Sequence, residues 1–346
     1  MRRAVVALVS VLVWAAPQAG LGQAPAFPAQ VERLLANAHV TADDRKQLLA
    51  GLPVSKPLPA DASKEQAVFG ALWINAPVDR YVQRLTDIEQ FERGGRFRLT
   101  KKIGSPPVLA DFAQLRLPDE DIRDLRECQI DYCELKLTAF AIQRFQKEID
   151  WRVADPRPAV DALMRQVAFD YVSAYLKGGN QQLPVYRDHG RAISAAGEFK
   201  DMTDHMEELP LYAPDLRRYL IEFPAVTWPN STAFLYWQET EFGLKPIIRI
   251  SHLTIRQNGA DLLVASKMIY ATHYFWTALD LRTLVPDPAR GNGFWLVTTS
   301  RSRTDGLSGL TGLFIHRRVR SEVVEGTLNV LRSTKEKLEQ PAQGQR

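Results

Sequence analysis

Cysteine is scarce in this chain: Cys128 and Cys133, with four residues between them in LRECQIDYCELKL, are the only two in 346 residues. A structural zinc site needs four ligands, and no second Cys pair or His pair stands at a suitable spacing. No metal is therefore expected. A local disulfide across a tight turn is the expected use of the pair, in keeping with an oxidising compartment. Because the loop it closes is short, its entropic contribution should be modest. The nucleophile elbow G-x-S-x-G, the zinc motif H-E-x-x-H and a separated cysteine–histidine signature are all missing. No cofactor motif is present, and no cofactor is expected. A net charge of only +4 gives no bulk attraction for nucleic acid.

Long apolar runs are also missing beyond the start. Met1-Arg2-Arg3 is a short positive head, and AVVALVSVLVWAA is an apolar run too short to span a bilayer comfortably. Small residues follow, with cleavage expected after Ala24 or Ala26. This is the layout of a secretory signal peptide over residues 1–26. The mature chain is then expected to be periplasmic or secreted, with no transmembrane helix. With 45% hydrophobic and 24% charged residues, its composition is that of an ordinary globular protein.

Along the chain, residues 29–50 read as two short helices, the second opening at Thr41 with Asp44 as its capping-box partner. LPVSKPLPAD carries three prolines and no periodicity and reads as a linker, closing an N-terminal segment at 27–61. QAVFGALWINAP reads as a strand. Val78, Tyr81, Val82, Leu85 and Ile88 follow at helical spacing, and Gly94-Gly95 ends that helix. RFRLTKKI and DFAQLRL alternate like half-buried strands. Ile142, Phe145 and Ile149 make one helix face, and Val160 to Tyr175 a second. Further helices are expected from Ser194 and Pro214, so a helical insertion occupies about 118–230. After it, PIIRISHLTIRQ and ADLLVASKMIYATHYFW flank Asn258-Gly259, a strong hairpin signal. TALDLRTLV and GFWLVTTSRSR form a second hairpin. A final helix carries Val319, Val323, Thr327, Val330, Leu331, Thr334 and Leu338 on one face, before a disordered tail at 341–346.

Between the last strand and that helix lies SRSRTDGLSGLTGLFIHRRVR. Gly306, Gly309 and Gly312 fit neither the Rossmann fingerprint nor the P-loop, and the strands before them form an antiparallel meander. The stretch offers mobility with apolar side chains instead, so 306–314 reads as a gate over a pocket, with Leu310 and Phe314 facing a ligand. Arg317, Arg318 and Arg320 suit peripheral contact with an anionic membrane surface.

WINAPVDRYVQRLTDIEQFE at the front and GLSGLTGLFIHRRVRSEVVEGTLNVLRSTKEKLE at the back resemble the START-like (SRPBCC) helix-grip superfamily. That resemblance implies an α+β fold over 62–340, in which a curved antiparallel sheet grips the long C-terminal helix around an apolar cavity. It also implies a hydrophobic or amphiphilic, lipid-like ligand. The helical insertion is a departure from the family's minimal domain.

The aromatics Tyr270, Tyr274, Trp276 and Trp295 are the candidate cavity wall. Arg301 and Arg303 form an arginine fork for a carboxylate or phosphate headgroup, or else pair with Asp305 to pin the loop. His273 and Lys267, six apart in one strand, fall on one pleat face and are the candidate catalytic groups. His205, with Asp201 and Glu208 on one helix face, reads as a solvated charged face rather than a metal site. The expected function is an exported binder of a lipid-like molecule. The alternatives are an enzyme using His273, Lys267 or Arg303, and a protein-interaction module docking through the insertion.

Overall fold

The computed structural model describes residues 27–188, 190–242, 245–304 and 312–340, with side chains in the last segment described from Arg320 onward. The expected signal peptide and most of the expected gate, including Leu310, lie outside the described residues, as do the side chains of Phe314, Arg317 and Arg318.

Two short helices open the chain, α1 (Ala29–Asn37) and α2 (Ala42–Leu49), followed by the strands β1 (Val54–Pro57) and β2 (Glu65–Ile74). Thr41 and Asp44 close a reciprocal capping box on α2, as their spacing predicts. Next come α3 (Val78–Thr86), α4 (Ile88–Phe91) and β3 (Phe97–Lys102). The insertion contains α5 (Asp119–Glu127), α6 (Ala139–Glu148) and the long α7 (Arg157–Gly178). A small hairpin of β4 (Val185–Asp188) and β5 (Arg191–Ser194) then leads into α8 (Ala195–Asp204), α9 (Leu209–Tyr212) and α10 (Leu216–Glu222). The chain finishes with β6 (Ser231–Phe242), β7 (Lys245–Asn258), β8 (Asp261–Ala271), β9 (Phe275–Pro286), β10 (Phe294–Thr304) and α11 (Gly312–Glu339).

Eight strands form one curved antiparallel sheet in the order β1-β2-β10-β9-β8-β7-β6-β3. The Asn258-Gly259 turn joins β7 to β8 with Gly259 at φ +64, a conformation that favours glycine. Residues alternate between the two faces. On one face Leu72, Ile74, Leu262, Leu284, Phe294 and Leu296 pack against α3, α4 and Leu331 and Leu338 of α11. The other face is buried twice over. Trp73, Leu279, Leu281 and Trp295 pack against α1, α2 and α8–α10, while Ile248, Ile250 and Tyr270 pack against α5–α7. This is an α+β architecture with the long C-terminal helix laid across a broad antiparallel sheet.

Two readings from the sequence are corrected. LPVSKPLPAD is not all linker, because Val54–Pro57 pairs with β2 as an edge strand, where a proline is tolerated on the unpaired side. DFAQLRL is not a strand. Phe112, Leu115 and Leu117 are buried as its alternation suggests, but a short 3-10 turn covers Leu109–Phe112. Its backbone is served by side chains of α7: Asp161 accepts from the Leu117 amide at 3.0 Å, and Arg157 and Arg165 donate to the Leu117 and Leu115 carbonyls at 2.8 and 3.0 Å. These bonds satisfy the polar groups that a strand partner would otherwise have to meet.

The C-terminal half of α11 is fastened at several points. Lys335 donates to the Trp73 carbonyl at 2.9 Å, Lys337 to the Phe91 carbonyl at 2.6 Å, and Arg80 to the Leu338 carbonyl at 2.7 Å. Gly70 allows the close approach of helix to sheet: a Cβ there would lie 2.9 Å from Thr327 Cγ2 and 3.0 Å from Leu331 Cδ1.

Candidate functional site under the C-terminal helix

The register sorts the residues beneath α11 into cross-strand rows. Leu72, Leu296, Leu284 and Leu262 form an apolar row at the fastened end of the helix. The next rows change character: Gly70, Thr298, Arg282 and Val264, then Val68, Ser300, Asp280 and Ser266, then Gln66, Ser302, Ala278 and Met268. Mid-sheet positions facing a helix are normally filled by large apolar side chains. Here only Val68, Val264 and Met268 are large and apolar, and the other positions hold glycine, alanine, serine, threonine, Gln66 and one Asp–Arg pair.

Within these rows the members on β2 and β8 are buried, and the exposure lies on β9 and β10. Leu331 and Leu338 are 1% and 0% exposed, whereas Ala278, Asp280, Arg282, Thr298, Ser300 and Ser302 are all half-buried despite lying on central strands. Val323, Val324, Thr327 and Leu328 of α11 are half-buried as well. The interface between sheet and helix is therefore closed toward the C-terminal end of α11 and less fully buried around Val323–Leu328.

The polar groups in this cleft are ordered. Ser300 donates to Asp280 at 2.5 Å, and Arg282 reaches the Tyr81 hydroxyl at 3.3 Å and Glu92 at 3.8 Å. Gln238, fully buried, donates to Glu92 at 2.5 Å and Thr100 at 2.9 Å and accepts from Arg249 at 2.8 Å. Burial pushes the Tyr236 hydroxyl up to about 12, with Glu92 adding to the effect, so it stays neutral. Burial alone would lower the Arg282 pKa, but Tyr81, Glu92 and Asp280 more than offset it, so this guanidinium stays charged. Gln66 Nε2 is buried with no hydrogen-bond partner among the described residues. The cleft thus combines a fixed cation, a carboxylate and several hydroxyls with an apolar far end, an arrangement suited to an amphiphile.

The candidate residues read from the sequence are dispersed. Trp295 lies on the opposite face of the sheet from α11, 4.9 Å from Phe27 and 5.3 Å from Trp73 between ring centroids. Tyr270 lines a separate pocket beside α6 and α7. Trp276 packs at the edge of that same helical cluster. Tyr274 adopts φ +60 after β8, and its hydroxyl accepts from the Lys245 amide at 2.9 Å.

Arg301 and Arg303 point away from the cleft and are engaged by carboxylates. Arg301 binds Glu208 through two nitrogens at 2.5 and 3.1 Å and Glu65 at 2.6 Å. Arg303 meets Glu65 at 3.1 Å, Glu198 at 2.8 Å and Asp201 at 2.5 Å. The carboxylates near His205 are thus committed to arginines, and His205 itself is largely exposed.

Lys267 and His273 do not meet. Ile250 pairs with Tyr270 and Ser251 with Met268, so Ile269 is an extra residue that reverses the facing of the residues after it. Lys267 turns to Asn180 and the Leu220 carbonyl. His273 lies beyond the strand, 2.9 Å from Asp121 and 3.2 Å from the Glu134 carbonyl. The expected Cys128–Cys133 disulfide is formed, which is compatible with an oxidising compartment. Among the described residues no helix is long and apolar enough to cross a membrane.

Asp280, Arg282, Ser300 and Gln238 escaped the reading from sequence. One signal was available: from Thr298 to Thr304 a central strand carries no apolar residue on either face. The arginines of that run drew notice, while the small hydroxyls alternating with them mark the cleft.

No protein-family model matches the chain, and no curated protein matches it. Among solved structures, a STAR-related lipid transfer protein (fragment 25–204) from Xanthomonas axonopodis is similar at 11% identity, covering 83% of this chain and 99% of that one, with a TM-score of 0.35.

Proposed function

We propose that this protein binds an amphiphilic, lipid-like small molecule in the cleft between the sheet and α11, and that it does so as an exported protein. One observation carries the reading: on β9 and β10, two central strands, Ala278, Asp280, Thr298, Ser300 and Ser302 stand half-buried on the face that carries α11, where a filled core would hold large apolar side chains. Asp280, Arg282 and Ser300 supply the polar end. Arg282 suits an anionic or hydroxyl-bearing head, and the half-buried Val323, Val324 and Leu328 suit an apolar body. In this reading the headgroup contact belongs to Arg282, and Arg301 and Arg303 brace the far face. An enzyme built on Lys267 and His273 is less favoured, because the two have separate partners and Lys267 turns away from the cleft.

The test is native mass spectrometry of protein recovered from a periplasm, followed by solvent extraction and lipid analysis. A stoichiometric lipid is expected with wild type, and Ser300→Trp should lose it while circular dichroism remains native. Wild type at its bare sequence mass, with nothing in the extract, would overturn the reading.

A further inference from the structure

The polar network of the cleft ends in a pair of arginines that no carboxylate balances. Arg282, Glu92, Gln238 and Arg249 follow one another in it, with Arg249 donating through Nε to Gln238 at 2.8 Å. Arg249 shares its face of β7 with Leu253 and Ile255, which pack in the core beneath α11. Its guanidinium lies 5.7 Å from the centre of the Phe97 ring. Arg96 precedes that ring in the chain, in the turn before β3, where its carbonyl accepts from the Glu241 amide at 2.8 Å.

The Arg96 guanidinium is set against α11. A Cβ added at Gly326 would lie 2.8 Å from Arg96 Nη2 and 3.7 Å from its Cζ. Apart from proline, glycine is the poorest residue for a helix interior. Here the missing side chain makes room for a cation between the start of β3 and the helix.

Like charges held close together destabilise each other unless an anion lies near both. No carboxylate does so among the described residues. Glu239 and Glu241 are taken by Arg98 at 3.2 and 2.7 Å, and Glu92 by Gln238. Glu325, beside Gly326, is exposed and pairs with neither arginine. The Arg96 side chain has no hydrogen bond or ion pair, and Arg249 has only its bond to Gln238. Partial desolvation, and then the charge of Arg249, lower the Arg96 pKa. Arg96 is exposed as a whole residue and Arg249 is half-buried, and the free nitrogens of Arg249 are not sealed from solvent. An anion can therefore reach both.

We propose that Arg96 and Arg249 form a clamp for an oxyanion, a phosphate or a carboxylate, at the edge of the cleft between the start of β3 and Gly326 of α11. The inference rests on the proposed function in one respect: it makes the amphiphile an anionic one. Arg282, whose charge Glu92 and Asp280 already offset, then contacts a neutral oxygen of the same head. Free phosphate presents the same chemistry to the clamp, and the test separates the two sources.

The probes are octyl phosphate, octanol and inorganic phosphate, each titrated calorimetrically into the mature protein. Octyl phosphate should bind about 10- to 100-fold more tightly than octanol, the increment of a hydrogen bond to a charged group. It should also bind more tightly than inorganic phosphate. Arg96→Gln and Arg249→Gln should each remove most of the preference for octyl phosphate over octanol. Arg96 stands on an exposed turn, so its variant keeps the test decisive should Arg249→Gln, which also loses the bond to Gln238, fail to fold. Inorganic phosphate bound as tightly as octyl phosphate, and weakened equally by Arg96→Gln, would uphold the clamp and overturn its assignment to an amphiphile. Octanol bound as tightly as octyl phosphate, or a preference unchanged in Arg96→Gln, would overturn the clamp and leave the cleft reading standing. Binding of neither phosphate compound would also overturn the clamp, while lipid extraction decides the cleft reading independently.

Discussion

His252 and Lys267 stand directly opposite each other on β7 and β8, both buried against the helical insertion, with the Tyr175 hydroxyl 3.1 Å from His252 Nδ1. Lys267 also lies over the rings of Phe199 and Tyr175, at 4.5 and 5.3 Å from their centroids. Burial lowers the Lys267 ammonium to about 7. Burial, and then the charge of Lys267, lowers His252 to about 3.

A pH dependence arises from these two shifts. An unfolded lysine titrates near ~10.4, so between there and about 7 the unfolded chain binds more protons, and stability falls as pH drops through that window. His252 repeats the effect between ~6.5 and about 3. Lys267→Met removes the upper window. Its gain over wild type in urea unfolding should be on the order of 3 kcal/mol at pH 7 and shrink toward pH 10. A constant difference across that range would show that Lys267 is not held neutral in the fold.

Arg301 is 5% exposed and joins Glu65 to Glu208. Arg301→Met should cost about 3–5 kcal/mol, because Glu208 is left buried without its partner and Glu65 keeps only Arg303. Arg301→Met with Glu208→Gln should recover part of that loss. Equal instability of the single and double variants in thermal unfolding would contradict an ion pair acting as a unit.

Gly70 tests the approach of α11 to the sheet. A methyl there meets Thr327, Leu331 and Thr298 at 2.9 to 3.0 Å. Gly70→Ala should therefore destabilise by about 1–3 kcal/mol through overpacking. Adding Thr327→Ser removes the nearest methyl and should recover part of the loss. If it does not, the helix is not seated as described.

His273 and Asp121 lie 2.9 Å apart with side chains 5% and 0% exposed. If their role is structural, Asp121→Ala and His273→Ala should be non-additive, with a coupling of about 0.5–3 kcal/mol in a double-mutant cycle. Strict additivity would mean that the bond contributes nothing to the fold.

Features set by neighbours in the chain were legible without coordinates. Thr41 with Asp44, Ser194 before α8, and Asn258-Gly259 between β7 and β8 each satisfy or shape backbone within a few residues. The long apolar face of α7 was legible for the same reason, and so was that of α11 at Leu331 and Leu338, although Val330, read onto the same face, is exposed. DFAQLRL misled because its alternation reflects real burial, but its hydrogen bonds come from α7, more than 40 residues away. The pairing of Lys267 with His273 failed on one inserted residue, Ile269, since a single bulge reverses which face each later side chain takes.

By itself, the sequence determined most of the elements and their order, the local disulfide and the amphiphilic character of the last strands, because these depend on periodicity and short-range chemistry. Tertiary structure alone decided which polar residues share a space. Arg301 and Arg303 differ from Ser300 and Ser302 by one position each, yet the pleat sends the arginines to the carboxylates of β2 and the insertion and the serines beneath α11. The physical reason is that a strand has two faces, and only the elements packed on each face decide whether a polar side chain becomes a brace or part of a binding cleft.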